Sequence, residues 1–150
     1  MFDPHSGLAA NSVLWASTLA WMIAQVLKGF TSFRHDRRLD WSKVVGAGGM
    51  PSSHSALVTS LATGVGIKDG WNSTVFAAAV GFALVVMYDA AGVRRAAGKQ
   101  ARVLNQIMDI LAHSGHIPGT KLRELLGHTP FEVMAGALLG IVVAALMVRG

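Results

Sequence analysis

The sequence of 150 residues contains no cysteine, which excludes disulfides and thiolate metal sites. Charge is scarce: Asp, Glu, Lys and Arg make up 14% of the chain, against roughly 25% in an average soluble domain. The 8 acidic residues are scattered, so no aspartate-rich cluster suits a divalent metal. Alternating apolar and polar runs of the kind that build half-buried strands are missing, and so are internal repeats. The fold class these absences leave is all-α, and residues 1–150 have the length of a single domain.

What the chain does have is apolar length. Hydrophobic residues are 52% of it, and its mean hydropathy is +0.46. Residues 8–27, 71–88 and 131–148 reach or approach the length needed to cross a bilayer core, and residues 56–67 form a shorter fourth run rich in Gly, Thr and Ser. Packed as a soluble core, segments apolar on every side would leave too little polar surface to cover them. A polytopic membrane helical bundle of about four to five helices is expected. The first run is expected to be a retained span and not a secretion leader. Asp3 and His5, not basic residues, precede it, and no small-residue cleavage site follows.

The net charge is +5, but its placement says more than its size. If the apolar runs are crossed in order, 11 of the 13 Lys and Arg residues fall on one side: Lys28, Arg34, Arg37, Arg38, Lys43, Arg94, Arg95, Lys99, Arg102, Lys121 and Arg123. Lys68 and Arg149 lie opposite. The positive-inside rule makes the basic face cytoplasmic, with both termini on the far side of the membrane. The expected location is a bacterial-type inner (plasma) membrane. The basicity is read as topology and as a site, not as a nucleic-acid surface.

Locally, residues 11–30 read as a helix, followed by a polar loop that ends in a turn at Gly46, Gly48 and Gly49. Pro51 starts a second helix with Ser52 or Ser53 as its N-cap, running to about Ile67. After the Asp69-Gly70 turn, Asn72 or Ser73 caps a third helix that reaches about Gly92. Residues 94–112 keep helical spacing, with Val93, Leu104, Ile107 and Leu111 on one side; they either continue the third helix or lie along the interface. A loop at 113–120, a short helical turn at 121–126 and a final span opened by Thr129-Pro130 complete the chain. His113 and His116 in that loop are read as surface residues and not as metal ligands.

Three groups of reactive residues share the basic side. In GGMPSSHSA (residues 48–56), glycines, a proline and hydroxyls at a helix start aim backbone N–H groups at one point, an anion site with His54 beside it. In GHTPFE (residues 127–132), helical spacing turns His128 and Glu132 the same way, so the carboxylate can hold one imidazole N–H and leave the other nitrogen to attack. Thr129-x-x-Glu132 is at the same time a capping box, and the two roles can coexist. In residues 88–101, Asp89 is an acid near the end of an apolar span, costly unless paired or functional. Arg94, Arg95 and Lys99 supply phosphate-binding cations, while Arg102 reads as a headgroup anchor. Two histidines, a carboxylate and cations are what in-line phosphoryl transfer through a phosphohistidine needs.

From about Leu19 to Ala145 the chain resembles the divergent branch of the type 2 phosphatidic acid phosphatase superfamily, related to acid phosphatases and vanadium haloperoxidases. The segments that carry the likeness are GGMPSSHSA, MYDAAGVRRAAGKQA from Met87, and LRELLGHTPFEVMAGALLG from Leu122. Pro51-Ser52-Ser53-His54 is similar to the superfamily's Pro-Ser-Gly-His, with Ser53 in place of glycine. The likeness implies that Ser52 and adjacent amides bind phosphate and that His54 is the general acid. His128 to Glu132 resembles the His-x-x-x-Asp motif, implying His128 as nucleophile and Glu132 as its orienting carboxylate. Lys28 fits the lysine of the first motif. Arg123 stands five residues before His128, with Arg94 or Arg95 as the alternative phosphate contact. The superfamily's mechanism implies no metal and no cofactor.

The resulting expectation is a membrane-embedded lipid phosphatase acting on a phosphomonoester or diphosphate of a lipid, either a prenyl phosphate or diphosphate or a phosphatidyl phosphate. Its catalytic residues would be His128, His54 and Glu132, with Lys28, Ser52, Ser53, Asp89, Arg94, Arg95, Lys99 and Arg123 at the substrate. The alternatives are a non-enzymatic anionic-lipid-binding membrane protein and a transporter. Small residues at Gly136 and Gly140 allow close helix packing within or between chains, and a homo-oligomer is expected.

Overall fold

Small side chains at four-residue intervals decide how the helices of this chain meet. The computed structural model describes residues 7, 10–36, 49–113, 121–122 and 127–149, except for the side chains of 32–36 and 113. Helix α1 spans Ser12–Asp36, its first turn held by the Asn11 side chain, which accepts from the Leu14 amide at 3.0 Å. Ala16, Ala20 and Ala24 form a fully buried stripe along it, and the next member of that row is Lys28, also buried. The repeat that packs α1 against the bundle thus carries a lysine inward at its last step.

Helix α2 spans Ser53–Asp69, with Ser52 as N-cap and Gly70 beyond its end at φ 90°. The cap is Ser52, so Pro51 lies just outside the helix it was expected to start. At about 25 Å, α2 is shorter than a bilayer core. Ser53, Ser55, Ala56, Val58, Ser60, Ala62, Gly64 and Gly66 are buried round its surface, so it has no single inner face. It sits in the middle, packed on α1, on the helix that follows it and on the last helix of the chain.

Helix α3, Thr74–Tyr88, is capped by Ser73. A π turn at Asp89–Val93 leads directly into α4, Arg94–His113. Of the two fates open to residues 94–112, continuation of the third helix is the one realised. Helix α5, Pro130–Met147, has a complete capping box between Thr129 and Glu132. Among the described residues the fold is all-helical, and Ser12–Thr31, Thr74–Ala112 and Pro130–Met147 are long and apolar enough to cross a membrane. The expected helical turn at 121–126 lies mostly outside the described residues.

Glycine fixes the tightest contact. A β-carbon on Gly136 of α5 would run into the Ser52 carbonyl, and one on Gly140 into the Thr59 hydroxyl and the Ala56 carbonyl. Thr59 Oγ1 also donates to the Ala137 carbonyl at 3.0 Å, tying α2 to α5. The small-residue spacing of α5 is therefore used within the chain. On the outer faces, Phe82, Val85, Phe131, Leu138 and Leu146 are exposed, as a lipid-facing surface requires.

Candidate active site at one end of the bundle

Three hydrogen bonds gather the helix ends. Thr31 Oγ1, near the end of α1, donates to the Met50 carbonyl at 2.9 Å. The Ser52 amide, at the head of α2, donates to the Glu132 carbonyl in α5 at 3.0 Å, and the His128 amide donates to the Ala90 carbonyl in the π turn at 2.9 Å. Asn105 of α4 adds a reciprocal pair with the main chain of Leu122, 2.8 Å each way. The end of α1, the start of α2, the end of α3 and the start of α5 therefore meet at one end of the bundle, where the described basic residues Lys28, Arg94 and Arg95 also lie.

At that junction His128 and His54 face one another, with ring centroids 6.2 Å apart and planes inclined by 60°. The His128 side chain is 1% exposed, and its Nδ1 lies 3.3 Å from Glu132 Oε2. The same carboxylate oxygen accepts from the Thr129 amide at 2.9 Å. Orienting an imidazole and closing the capping box thus coexist in one side chain. With Nδ1 carrying the proton toward Glu132, Nε2 keeps its lone pair. Nε2 is buried without a hydrogen-bond partner among the described residues, although the Gly49 main chain lies close beside the ring. Burial pulls the His128 pKa below its ordinary value of 6.5, and the Glu132 hydrogen bond and charge oppose that shift.

The cations divide by helix face. Lys28, buried under Gly49, is within electrostatic reach of Glu132 and of both histidines. In α4, buried Gly98, Ala101 and Asn105 mark the inward side, and Arg94 falls on that line one turn earlier. Its charge, with that of Asp89, acts on His54. Asp89 is paired, accepting from Arg94 Nε at 2.7 Å, so its observed partner is a cation. Arg95 and Lys99, exposed as Arg94 itself is, lie round the helix from it. Arg123 lies outside the described residues.

Both serines are buried at the head of α2. Ser52 is fully buried; its amide is engaged with Glu132. Its hydroxyl accepts from the Ser55 amide at 3.3 Å and from the Ser55 hydroxyl at 3.0 Å. Its observed bonds cap α2 and join it to α5. The amides of Ser53 and His54, first in the helix, are not consumed by the α2 ladder. Two glycines shape the site, and of these only Gly127 has no role in the reading of the sequence. Gly49 (φ 90°) lies over the Lys28 stem, and Gly127 (φ 87°) lets the His128 segment press on the Arg95 backbone, where a β-carbon would collide. A glycine directly before the histidine was the available signal.

A family model described as "Divergent PAP2 family" matches residues 9–143. The uncharacterized membrane protein YuiD of Bacillus subtilis (strain 168) is 43% identical over 151 residues, covering 93% of this chain and 96% of the relative. No solved structure matches the chain. The match over most of the length, together with three membrane-crossing helices, identifies the chain as an integral membrane protein of the divergent PAP2 family.

Proposed function

We propose that this protein is a lipid phosphatase that hydrolyses a phosphomonoester or diphosphate on a lipid through a phosphohistidine. The observation that carries the reading is the pair of facing imidazoles, 6.2 Å apart, one of them held by a carboxylate at 3.3 Å, between Lys28 and Arg94 where the helix ends meet. That separation leaves room for one phosphorus atom between the rings.

In the first step Nε2 of His128 attacks phosphorus as the bond to the lipid oxygen breaks. The departing oxygen takes a proton from His54. Lys28 and Arg94 stabilise the charge on the equatorial oxygens, and Glu132 stabilises the imidazolium formed at His128. In the second step His54 takes a proton from water as its oxygen bonds to phosphorus. The N–P bond then breaks, releasing inorganic phosphate and free His128. The Ser53 and His54 amides, at the positive end of α2, are the backbone donors for the phosphate.

Because the basic residues gather at the site end, the positive-inside rule puts this face in the cytoplasm of a bacterial-type inner membrane. The deciding measurement is phosphate release by the purified protein from a panel of prenyl and phosphatidyl phosphates, with vanadate as inhibitor. Vanadate-sensitive release that disappears in His128→Ala is expected. Release unchanged in His128→Ala would overturn the nucleophile. Binding of anionic lipid without any turnover would favour the non-enzymatic reading.

A further inference from the structure

One side of α2 is left open. Helix α1 meets α2 where Val13 lies against Gly64 and where Ala20 and Ala24 join Ala56 in the core. Helix α3 meets it along Val58, Ala62 and Ala83. Helix α5 meets it at Thr59, whose hydroxyl donates to the Ala137 carbonyl. At about 100° per residue, these contacts leave one row of α2 with no helix against it among the described residues. The row is His54, Leu57, Leu61, Val65 and Lys68. Leu57 is 36% exposed, Lys68 is exposed, and His54, Leu61 and Val65 are half-buried.

This row is the floor of a furrow walled by α1 and α3. Both walls pack on α2 but share no packed seam with each other. Helices α1 and α5, by contrast, are closed together by Leu19, Ile23, Leu139 and Val143. The floor climbs about 21 Å from His54 to Lys68. At the end away from the site it runs into a cavity of about 360 Å³, lined in part by Leu14, Leu61, Val65 and Lys68. At the other end His54 faces His128 and is within reach of the charges of Lys28 and Arg94. A furrow that is apolar along its length and cationic at one end fits a lipid with an anionic head.

We propose that the tail of a bound lipid phosphate lies in this furrow, on Leu57, Leu61 and Val65 between α1 and α3, with its headgroup at His54. The inference rests on the reading that phosphate binds between the two histidines, and it adds where the lipid chain goes. Chemistry requires the same direction. In an in-line displacement the leaving oxygen lies opposite the attacking atom, and here that oxygen carries the tail. With Nε2 of His128 attacking, the tail must leave on the side of His54, its proton donor. The furrow begins at His54.

Full-length protein in phosphatidylcholine vesicles is irradiated with hexadecylphosphonate carrying a diazirine midway along its chain, a probe whose carbon–phosphorus bond is not hydrolysed. Adducts mapped by mass spectrometry are expected on residues 57–65 at several times the level on Leu138 and Leu146, exposed on α5. Hexadecanol with the same diazirine is expected to label the two regions alike. Leu61→Trp, which fills the furrow, is expected to cut labelling at Leu57 several-fold, and Leu138→Trp to leave it unchanged. Equal labelling of α5 and the furrow by the phosphonate would overturn the proposal, as would one pattern shared by phosphonate and alcohol. Phosphate release from the lipid panel is measured separately on the same vesicles. Furrow labelling without release keeps the tail path and removes the phosphatase; release with labelling confined elsewhere removes the tail path alone.

Discussion

Asp89 and Arg94 clasp each other across the π turn, Nε of the guanidinium donating to Oδ2 at 2.7 Å. Both side chains are 40–47% exposed, so the pair adds little to stability. Its effect is orientation: with Nε occupied, the terminal nitrogens of Arg94 are left to face His54 and an incoming phosphate. In the proposed phosphatase, Asp89→Asn is expected to raise KM several-fold with little change in kcat. Arg94→Lys, which loses the fork, is expected to cost about tenfold in kcat/KM. Wild-type KM in Asp89→Asn would show that the clasp positions nothing.

Glu132 serves two masters, and substitutions can separate them. Thr129→Ala removes the side-chain acceptor that caps α5 and is expected to cost about 1 kcal/mol of stability while sparing most of the activity. Glu132→Gln keeps a cap acceptor but removes the charge beside His128. Its turnover is expected to fall by roughly two orders of magnitude with a small change in unfolding temperature. Equal losses of stability and activity in both variants would argue that Glu132 acts only as a cap.

Burial holds His128 below its ordinary value of 6.5. The neutral, nucleophilic ring therefore persists at pH values where a free histidine is already protonated. The acidic limb of kcat/KM is expected below pH 6.5, and Glu132→Gln, which removes an influence that raises the pKa, is expected to move it further down. Stability follows the same linkage. Above pH 6.5 the ring is neutral folded and unfolded; as pH falls through 6.5 the unfolded chain takes up the proton first, so stability drops. An acidic limb above 6.5 would contradict this environment.

Gly136 meets the Ser52 main chain, which cannot rotate away. Gly136→Ala is expected to lower stability by about 1–3 kcal/mol, since backbone on both sides must shift. Gly81→Ala, where an added carbon touches nothing within 4 Å, is expected to be neutral or to stabilise by about 0.5–1 kcal/mol. Thermal unfolding in detergent distinguishes them; equal effects would mean that α2 and α5 are not in the close contact described.

Much of this protein is written locally. Apolar length demands a membrane, Ser73 and the Thr129–Glu132 box start their helices, and four-residue spacing turns His128 and Glu132 the same way, because caps and helical periodicity are short-range. Which cation faces the histidines is not local. Arg94, Arg95 and Lys99 look equivalent in sequence, yet the π turn at Asp89–Val93 inserts an extra residue into the helical repeat and rotates everything after it by about 100°, and it is Arg94 whose charge reaches His54. In the same way, nothing near Ser52 foretells that its amide is taken by the Glu132 carbonyl, because that bond requires two distant helices to meet. Composition and caps determined the helices and the membrane. Only tertiary packing decided which polar groups were left available to act, because a donor satisfied by a distant carbonyl is no longer there for a ligand.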